Sequence, residues 1–229
     1  MFADSLLDDI IEWDIPNWST ALAFWQQHSA KEMASVSALE IGSRNGGLSL
    51  GLALQGAQVV CTDLISPTDN SLDKHREYRV AHRISYAQID ALRIPYLDSL
   101  DVIVFKSVLG GIGRSGQIEK QAQALAQMYM ALKPGGELWF AENLVASPMH
   151  QYLRSRWVRW GRDWRYVTTG EMDSFLSPFS TVLYQTVGFL GALGRTPRQR
   201  AVFGRLDRLG VDRCVPKEWR YIIIGLARK

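Results

Sequence analysis

The chain has 229 residues, 47% hydrophobic and 21% charged, which excludes a disulfide-stapled mini-protein and a disordered segment. Lys and Arg number 26 against 23 Asp and Glu, a formal net charge of +3, so binding to nucleic acid would need a local basic cluster and is disfavoured for the chain as a whole. Eight tryptophans are the compositional oddity, because each combines a large apolar body with one polar handle and suits cores, ligand walls and lipid boundaries.

Residues 1–33 are acidic and aromatic, with Ile10, Ile11, Trp13, Ile15 and Trp18 around Pro16 and then Ala21, Phe24 and Trp25 at helical spacing, which predicts two short helices. The start, MFADSLLDDI, is acidic where a signal peptide is basic, so no signal peptide is expected. From Ala38 to Ile41 a short apolar strand runs into the loop 42–47, and Leu48 to Gln55 reads as a helix. A strand over 58–62 closed by Asp63, a polar helix over 71–81, a strand over 84–89 before Asp90 and an unbroken apolar strand over 101–105 follow. A helix over 117–132 is stopped by Lys133-Pro134-Gly135-Gly136, and a strand over 137–141 follows it. This alternation through residue 143 specifies an α/β fold with a parallel sheet, its ligand crevice at the carboxyl ends of the strands. The tail breaks the rhythm. It holds an Arg/Trp-rich segment, a short helix after Thr169, a strand over 181–187, a loop-rich Gly/Arg insertion and a final strand over 221–227.

Cys61 and Cys214 lie far apart without partners at metal-ligand spacing, so neither a disulfide nor a metal site is expected and a cytoplasmic, reducing location fits best. The longest apolar runs fall well short of the roughly 20 residues of a membrane-spanning helix.

The loop Gly42-Ser43-Arg44-Asn45-Gly46-Gly47 puts small residues where strand turns into helix. A tight turn needs this, and so does a ligand approaching backbone at a helix amino end. The dinucleotide fingerprint needs Gly-x-Gly-x-x-Gly. Here Arg44 stands at its second glycine and Glu40 precedes the loop, which argues against a pyrophosphate and for a cofactor carrying an amino-acid or cationic group. Asp63 ends the second strand, where a carboxylate can accept bonds from vicinal ribose hydroxyls, and Asp90 ends the third.

With LEIGSRNGG at 39–47, Asp63, QIDA at 88–91, DVIVFKSVLG at 101–110 and ALKPGGELWFAEN at 131–143, the chain resembles the class I S-adenosylmethionine-dependent methyltransferases over roughly residues 36–143. The resemblance implies a Rossmann-like, seven-stranded, mostly parallel sheet with the last strand inserted antiparallel. It implies one domain: lid helices over 1–33, a cofactor-binding core over 36–143, acceptor-side elements over 144–220 and the last strand over 221–229. The implied cofactor is S-adenosyl-L-methionine. Glu40, Gly42, Ser43, Arg44, Gly46 and Gly47 would face its methionine part, Asp63 and Leu64 its ribose side, Asp90 and Ala91 the adenine, and Lys106 or Ser107 the sulfonium. The family's usual glycine pattern keeps Gly42 and Gly46 but has Arg44 at its middle glycine.

Methyl transfer is an in-line displacement that asks mainly for alignment in a dry pocket. The chain lacks the Asn/Asp-Pro-Pro-Tyr tetrapeptide of amine-methylating enzymes after the fourth strand, where Lys106-Ser107-Val108-Leu109 stand, and it has no cysteine there for carbon methylation. His150, just beyond the fifth strand, is either a surface or helix-starting residue or a general base for a hydroxyl acceptor. In the segment 151–166, Leu153, Trp157, Trp160 and Trp164 form one helical stripe and Arg156, Arg159 and Arg162 another. Three readings are open: a lid helix packing its tryptophans, an acceptor site in which Trp157, Arg159 and Trp160 hold an anionic ring, or a helix at a membrane surface. Arg195, Arg198, Arg200, Arg205 and Arg208 either line the same pocket or solubilise a loop. The expectation is an O-methyltransferase for an anionic small molecule such as a carbohydrate or lipid-linked saccharide; a nucleic-acid methyltransferase and a non-catalytic cofactor-binding regulator are the alternatives.

Overall fold

A computed structural model describes residues 4–65, 69–157 and 163–229 of the chain. Mainly apolar runs, rich in β-branched residues in β2, β4, β6 and β7, form seven strands: β1 (Ser37–Ile41), β2 (Gln58–Asp63), β3 (Ile84–Gln88), β4 (Leu100–Lys106), β5 (Leu132–Asn143), β6 (Thr181–Val187) and β7 (Ile222–Arg228). They pair in the order β3-β2-β1-β4-β5-β7-β6. Six strands run one way, and β7 is antiparallel to both its neighbours, β5 and β6. The strand order reverses at β1, which pairs in parallel with both β2 and β4, so the ligand crevice expected of such sheets lies at the carboxyl ends of β1 and β4.

The central strands are buried on both faces, and the two-residue period sorts their side chains into two cores. Ala38, Val102, Val104, Trp139, Ile222 and Ile224 face one layer, with the N-terminal helices α1 (Asp4–Ile11), α2 (Ile15–Trp18), α3 (Thr20–His28) and the helix α4 (Gly47–Leu54). Leu39, Ile41, Ile103, Phe105, Leu138 and Phe140 face the other, which α7 (Ile118–Ala131) and α9 (Thr169–Phe175) cover. The remaining helices are α5 (Asp69–Glu77), α6 (Leu109–Ile112), α8 (Pro148–Trp157), α10 (Pro197–Leu206) and α11 (Asp212–Cys214). Among the described residues no helix is long and apolar enough to cross a membrane.

Four expectations change. The N-terminal region forms three helices, because Glu12 and Asp14 take left-handed backbone angles that break the run after Ile11. Lys133 to Gly136 does not stand outside the sheet: β5 starts at Leu132, and a register shift between Leu100 and Val102 absorbs the extra residues. The stripe over 153–164 is not one helix to its end, since Asp163 to Tyr166, Trp164 among them, are non-helical. The Gly/Arg insertion is helical rather than loop-rich from Pro197 to Cys214, opened by a capping box in which Thr196 and Gln199 exchange side-chain and backbone bonds.

Candidate functional site

At the end of β1 the chain turns through Gly42, Arg44 and Gly46, all with positive φ, before α4 begins. The Glu40 carboxylate is buried and accepts bonds from the Leu48 amide at 3.3 Å, the Ser49 amide at 2.8 Å and the Ser49 hydroxyl. It thereby satisfies the first amides of α4, a favourable place for negative charge. Burial pushes its carboxyl up to about 7, against hydrogen bonds from Ser49 and Leu48 that hold it down.

Beneath the loop lies His75, which sequence reasoning passed over. Its Nε2 is 2.8 Å from the Gly46 carbonyl and its Nδ1 is 2.7 Å from the Tyr86 hydroxyl. A carbonyl only accepts, so the proton sits on Nε2 and Tyr86 donates to Nδ1. Burial lowers the His75 pKa, and a Cβ on Gly46 would come within 2.6 Å of its ring. The imidazole therefore sets the height of the glycine loop.

The N-terminal segment covers the loop from the other side. A Cβ on Gly47 would stand 2.3 Å from the Ile10 carbonyl oxygen, so only glycine lets α1 lie directly on α4. Glu12 accepts from the Asn45 side-chain Nδ2 at 2.6 Å and is 3.9 Å from both Arg44 and Lys74. Lys106, at the end of β4, donates to the Ile11 carbonyl, and burial lowers its ammonium to about 8. Asp14 then anchors the segment: the Tyr221 hydroxyl donates to it, Asn17 donates to Tyr221 at 3.0 Å and to Asp207 at 3.0 Å, and burial raises the Asp14 carboxyl to about 8.

These elements enclose a cavity of about 640 Å³. Of the residues expected from the sequence, Glu40, Gly42, Ser43, Arg44, Gly47, Lys106 and Ser107 line it. Ile10, Glu12, Trp13, Trp164 and Arg200, not foreseen as cofactor-side residues, line it too. Gly46, Asp63, Leu64, Asp90 and Ala91 are not among its lining residues. Asp63 accepts from the Arg44 amide at 2.8 Å and the Leu64 amide at 2.7 Å, and the Asp63 carbonyl accepts from the Ile89 amide at 3.0 Å, which ties the ends of β2 and β3 together. Beside it Leu64 and Ile65 are 62% and 77% exposed, an apolar surface next to a carboxylate. Asp90 accepts from the Leu92 amide, and Ala91 is buried.

Glu142, at the end of β5, accepts from the amides of Val108 and Leu109 at 2.7 Å and from Asn143 at 2.8 Å. Asn143 donates to the Ser107 hydroxyl at 2.6 Å. Burial raises the Glu142 carboxyl to about 7. These bonds hold the turn after β4, in which Ser107 has a left-handed backbone, against the end of β5. The Trp164 ring packs on Gly110 and Gly111 just beyond that turn.

A second cavity of about 570 Å³ adjoins the first, with Trp13 and Arg200 in both walls. Arg154, Arg195 and Arg200 line it together with Asn143, His150 and Tyr166, and none of its described lining residues is an acid. The Arg154 guanidinium lies 4.0 Å from the Tyr166 ring centroid and donates to the Leu144 and Val145 carbonyls. His150 is buried, with Nε2 2.8 Å from the Phe189 carbonyl and Nδ1 2.6 Å from the Ser147 hydroxyl; burial lowers its pKa. Of the basic residues left open by the sequence, Arg195 and Arg200 line this cavity, Arg208 lines an apolar hollow beside α3 and α4, and Arg198 and Arg205 are exposed. The Trp157 side chain, Arg159 and Trp160 lie outside the described residues.

A reversed antiparallel strand next to last in the sheet, a glycine turn after β1 and acids at successive strand ends define the class I methyltransferase fold. Residues 39–140 match the family model described as a methyltransferase domain. Two structures of phosphoethanolamine N-methyltransferase 2 from Haemonchus contortus are similar. One holds S-adenosyl-L-methionine, the other phosphomonomethylethanolamine and S-adenosylhomocysteine; TM-scores are 0.65 and 0.64 at 17% and 16% identity, covering 93% of this chain and 52% of theirs. This chain thus spans about half the length of that enzyme. The 1,6-didemethyltoxoflavin-N1-methyltransferase of Burkholderia thailandensis matches with a TM-score of 0.56 at 14% identity, over 92% of this chain and 76% of its own. The cyclase SpnF matches with a TM-score of 0.63 at 16% identity, over 92% and 80%. No curated protein matches the chain in sequence.

Proposed function

We propose that the chain is an S-adenosylmethionine-dependent methyltransferase acting on an oxygen of an anionic small molecule, such as a carbohydrate or lipid-linked saccharide. The observation that carries this reading is the pair of adjoining cavities: one at the glycine loop with charges of both signs, the other lined by three arginines and no described acid.

The donor set of the first cavity fits the proposed cofactor. Glu12 and Glu40 line the same cavity as Arg44, Lys106 and Arg200, which suits an amino group and a carboxylate on one ligand. Asp63 would hold the ribose hydroxyls, and exposed Leu64 with Asp90 and Ala91 would form the adenine side. The bound cofactor would supply an electrophilic sulfonium methyl. The protein's part is to place the acceptor in line with it and to exclude water, which falls to Trp13, Trp164 and the lid.

In the second cavity Arg154, Arg195 and Arg200 would bind the acceptor's carboxylate or phosphate, with Trp157, Arg159 and Trp160 assigned to the same acceptor. His150 is the residue proposed to take the hydroxyl proton. Burial lowers its pKa and so favours the neutral imidazole, and accepting that proton requires Nδ1 to release the Ser147 hydroxyl. Calorimetry with S-adenosylmethionine and S-adenosylhomocysteine tests the cofactor, and absence of binding overturns the reading. Labelled-methyl incorporation into a cell extract, fractionated by product class, then identifies the acceptor; label recovered only in RNA or protein refutes a small-molecule substrate.

A further inference from the structure

The segment from Arg195 to Cys214 contains six arginines and two acids. Folding separates them. Asp207 is fully buried and accepts from the Leu190 and Gly191 amides at 2.8 Å and from Asn17 at 3.0 Å. Asp212 is half-buried and accepts from the Gly188 amide at 2.9 Å. Both acids therefore serve as internal anchors of the insertion, and neither is exposed. Arg198, Arg205, Arg208 and Arg213 remain on the outside.

Three apolar residues are exposed with them: Val202, Leu206 and Leu209, the last 80% exposed. Val202 and Leu206, four residues apart on α10, share one face with Arg198, and Arg205 is close to its edge, while exposed Leu209 follows in the π-helical turn Asp207–Val211. A solvated face would not need large apolar groups at its centre, and a nucleic acid would satisfy the arginines but not the leucines. A second copy of the same face would bring like charges together. An anionic lipid surface satisfies both sets, taking the apolar stripe into the acyl boundary while the guanidinium groups meet phosphate oxygens.

We propose that the exposed face of residues 197–213 docks on a membrane rich in anionic phospholipid. This inference is independent of the methyl-transfer reading; the docked helix itself carries Arg200, and Arg195 just precedes it, both on the wall of the second cavity.

The test is flotation of the full chain with vesicles of phosphatidylcholine alone and of phosphatidylcholine with about one third phosphatidylglycerol, without cofactor. Association with the anionic vesicles only is expected. Arg198→Gln with Arg205→Gln should weaken it roughly 25-fold, at about fivefold per arginine. Leu206→Ser with Leu209→Ser should weaken it at least about tenfold, since the apolar stripe carries the insertion. All four positions are exposed, and circular dichroism checks that the variants fold. No association at low salt, equal association with both vesicles, or indifference to the leucine pair overturns the proposal. So does self-association through this face, or preference for an RNA oligomer over vesicles. Because the readout needs no cofactor, its failure is separate from failure to bind S-adenosylmethionine.

Discussion

Two glycines on α4 offer a paired test of how the N-terminal helices are held. A Cβ added to Gly47 would lie 2.3 Å from the Ile10 carbonyl oxygen, 2.9 Å from the Asp9 carbonyl oxygen and 2.9 Å from the Ile10 carbonyl carbon. All three are backbone atoms, so no side chain can swing away; α1 must move about 1 Å to restore an ordinary carbon–oxygen contact. At Gly51, one turn further on, the nearest atom to a Cβ is the Ile10 Cδ1 at 3.4 Å, an ordinary contact. Alanine is favoured over glycine within a helix by about 1 kcal/mol. Gly51→Ala should therefore stabilise by about 0.5–1 kcal/mol. At Gly47 the same gain is opposed by an overpacking cost of about 1–3 kcal/mol, so Gly47→Ala should be destabilised by up to about 2 kcal/mol, or roughly 2–4 °C in melting temperature per kcal/mol. Since Ile10, Glu12 and Trp13 line the first cavity, Gly47→Ala should also weaken S-adenosylhomocysteine binding about tenfold, whereas Gly51→Ala should leave it unchanged. Thermal melts and calorimetry on both variants check this. A Gly47→Ala protein as stable as Gly51→Ala, with unchanged affinity, would refute the direct seating of α1 on α4.

His75→Ala removes the bond to the Gly46 carbonyl and to Tyr86 and opens a cavity. A loss of about 2–4 kcal/mol in urea unfolding is expected, with weaker cofactor binding as the loop drops. Tyr221→Phe deletes the donor to Asp14 and the acceptor for Asn17, and should cost about 1–3 kcal/mol in the same measurement. The pH dependence follows from the buried acids. Asp14 at about 8 and Glu40 and Glu142 at about 7 have folded pKa values above their unfolded ones. Their contribution is fully present below about pH 4 and is lost as pH rises through 7 to 8. Glu137 has a lowered pKa despite its burial, because Ser29, Trp139, the Ala30 amide and Arg228 bond it, and Glu171 is lowered by Arg165 and Thr168. Their stabilisation is lost as pH falls through the acid range. Urea midpoints should thus peak in mildly acidic solution and decline towards pH 8.5; a midpoint that rises steadily from pH 5 to 8.5 would contradict the burial of the first three acids.

The strands were legible in the sequence because their signal is local: apolar runs such as Val102 to Phe105, ended by a glycine loop or an acid, read the same in one dimension as in three. The glycine loop and the strand-end acids Asp63 and Asp90 followed from the same punctuation. The helix α10 carried a signal, Thr196-Pro197 followed by Gln199, but the glycines and arginines around it dilute the apolar periodicity. The stripe from Leu153 to Trp164 misled for the opposite reason: helical spacing persists in the sequence although Trp164 is non-helical.

By itself, then, the sequence determined the parallel core and the place of its glycine loop, because strand period and turn chemistry act between near neighbours. Tertiary structure alone decided what closes over that loop. Lys106 meets Ile11, Tyr221 meets Asp14, and Arg200 and Trp164 reach a cavity built on β1. Each of these contacts joins residues about a hundred or more positions apart, a separation at which no spacing rule connects them, and only the folding of both sheet faces brings them together.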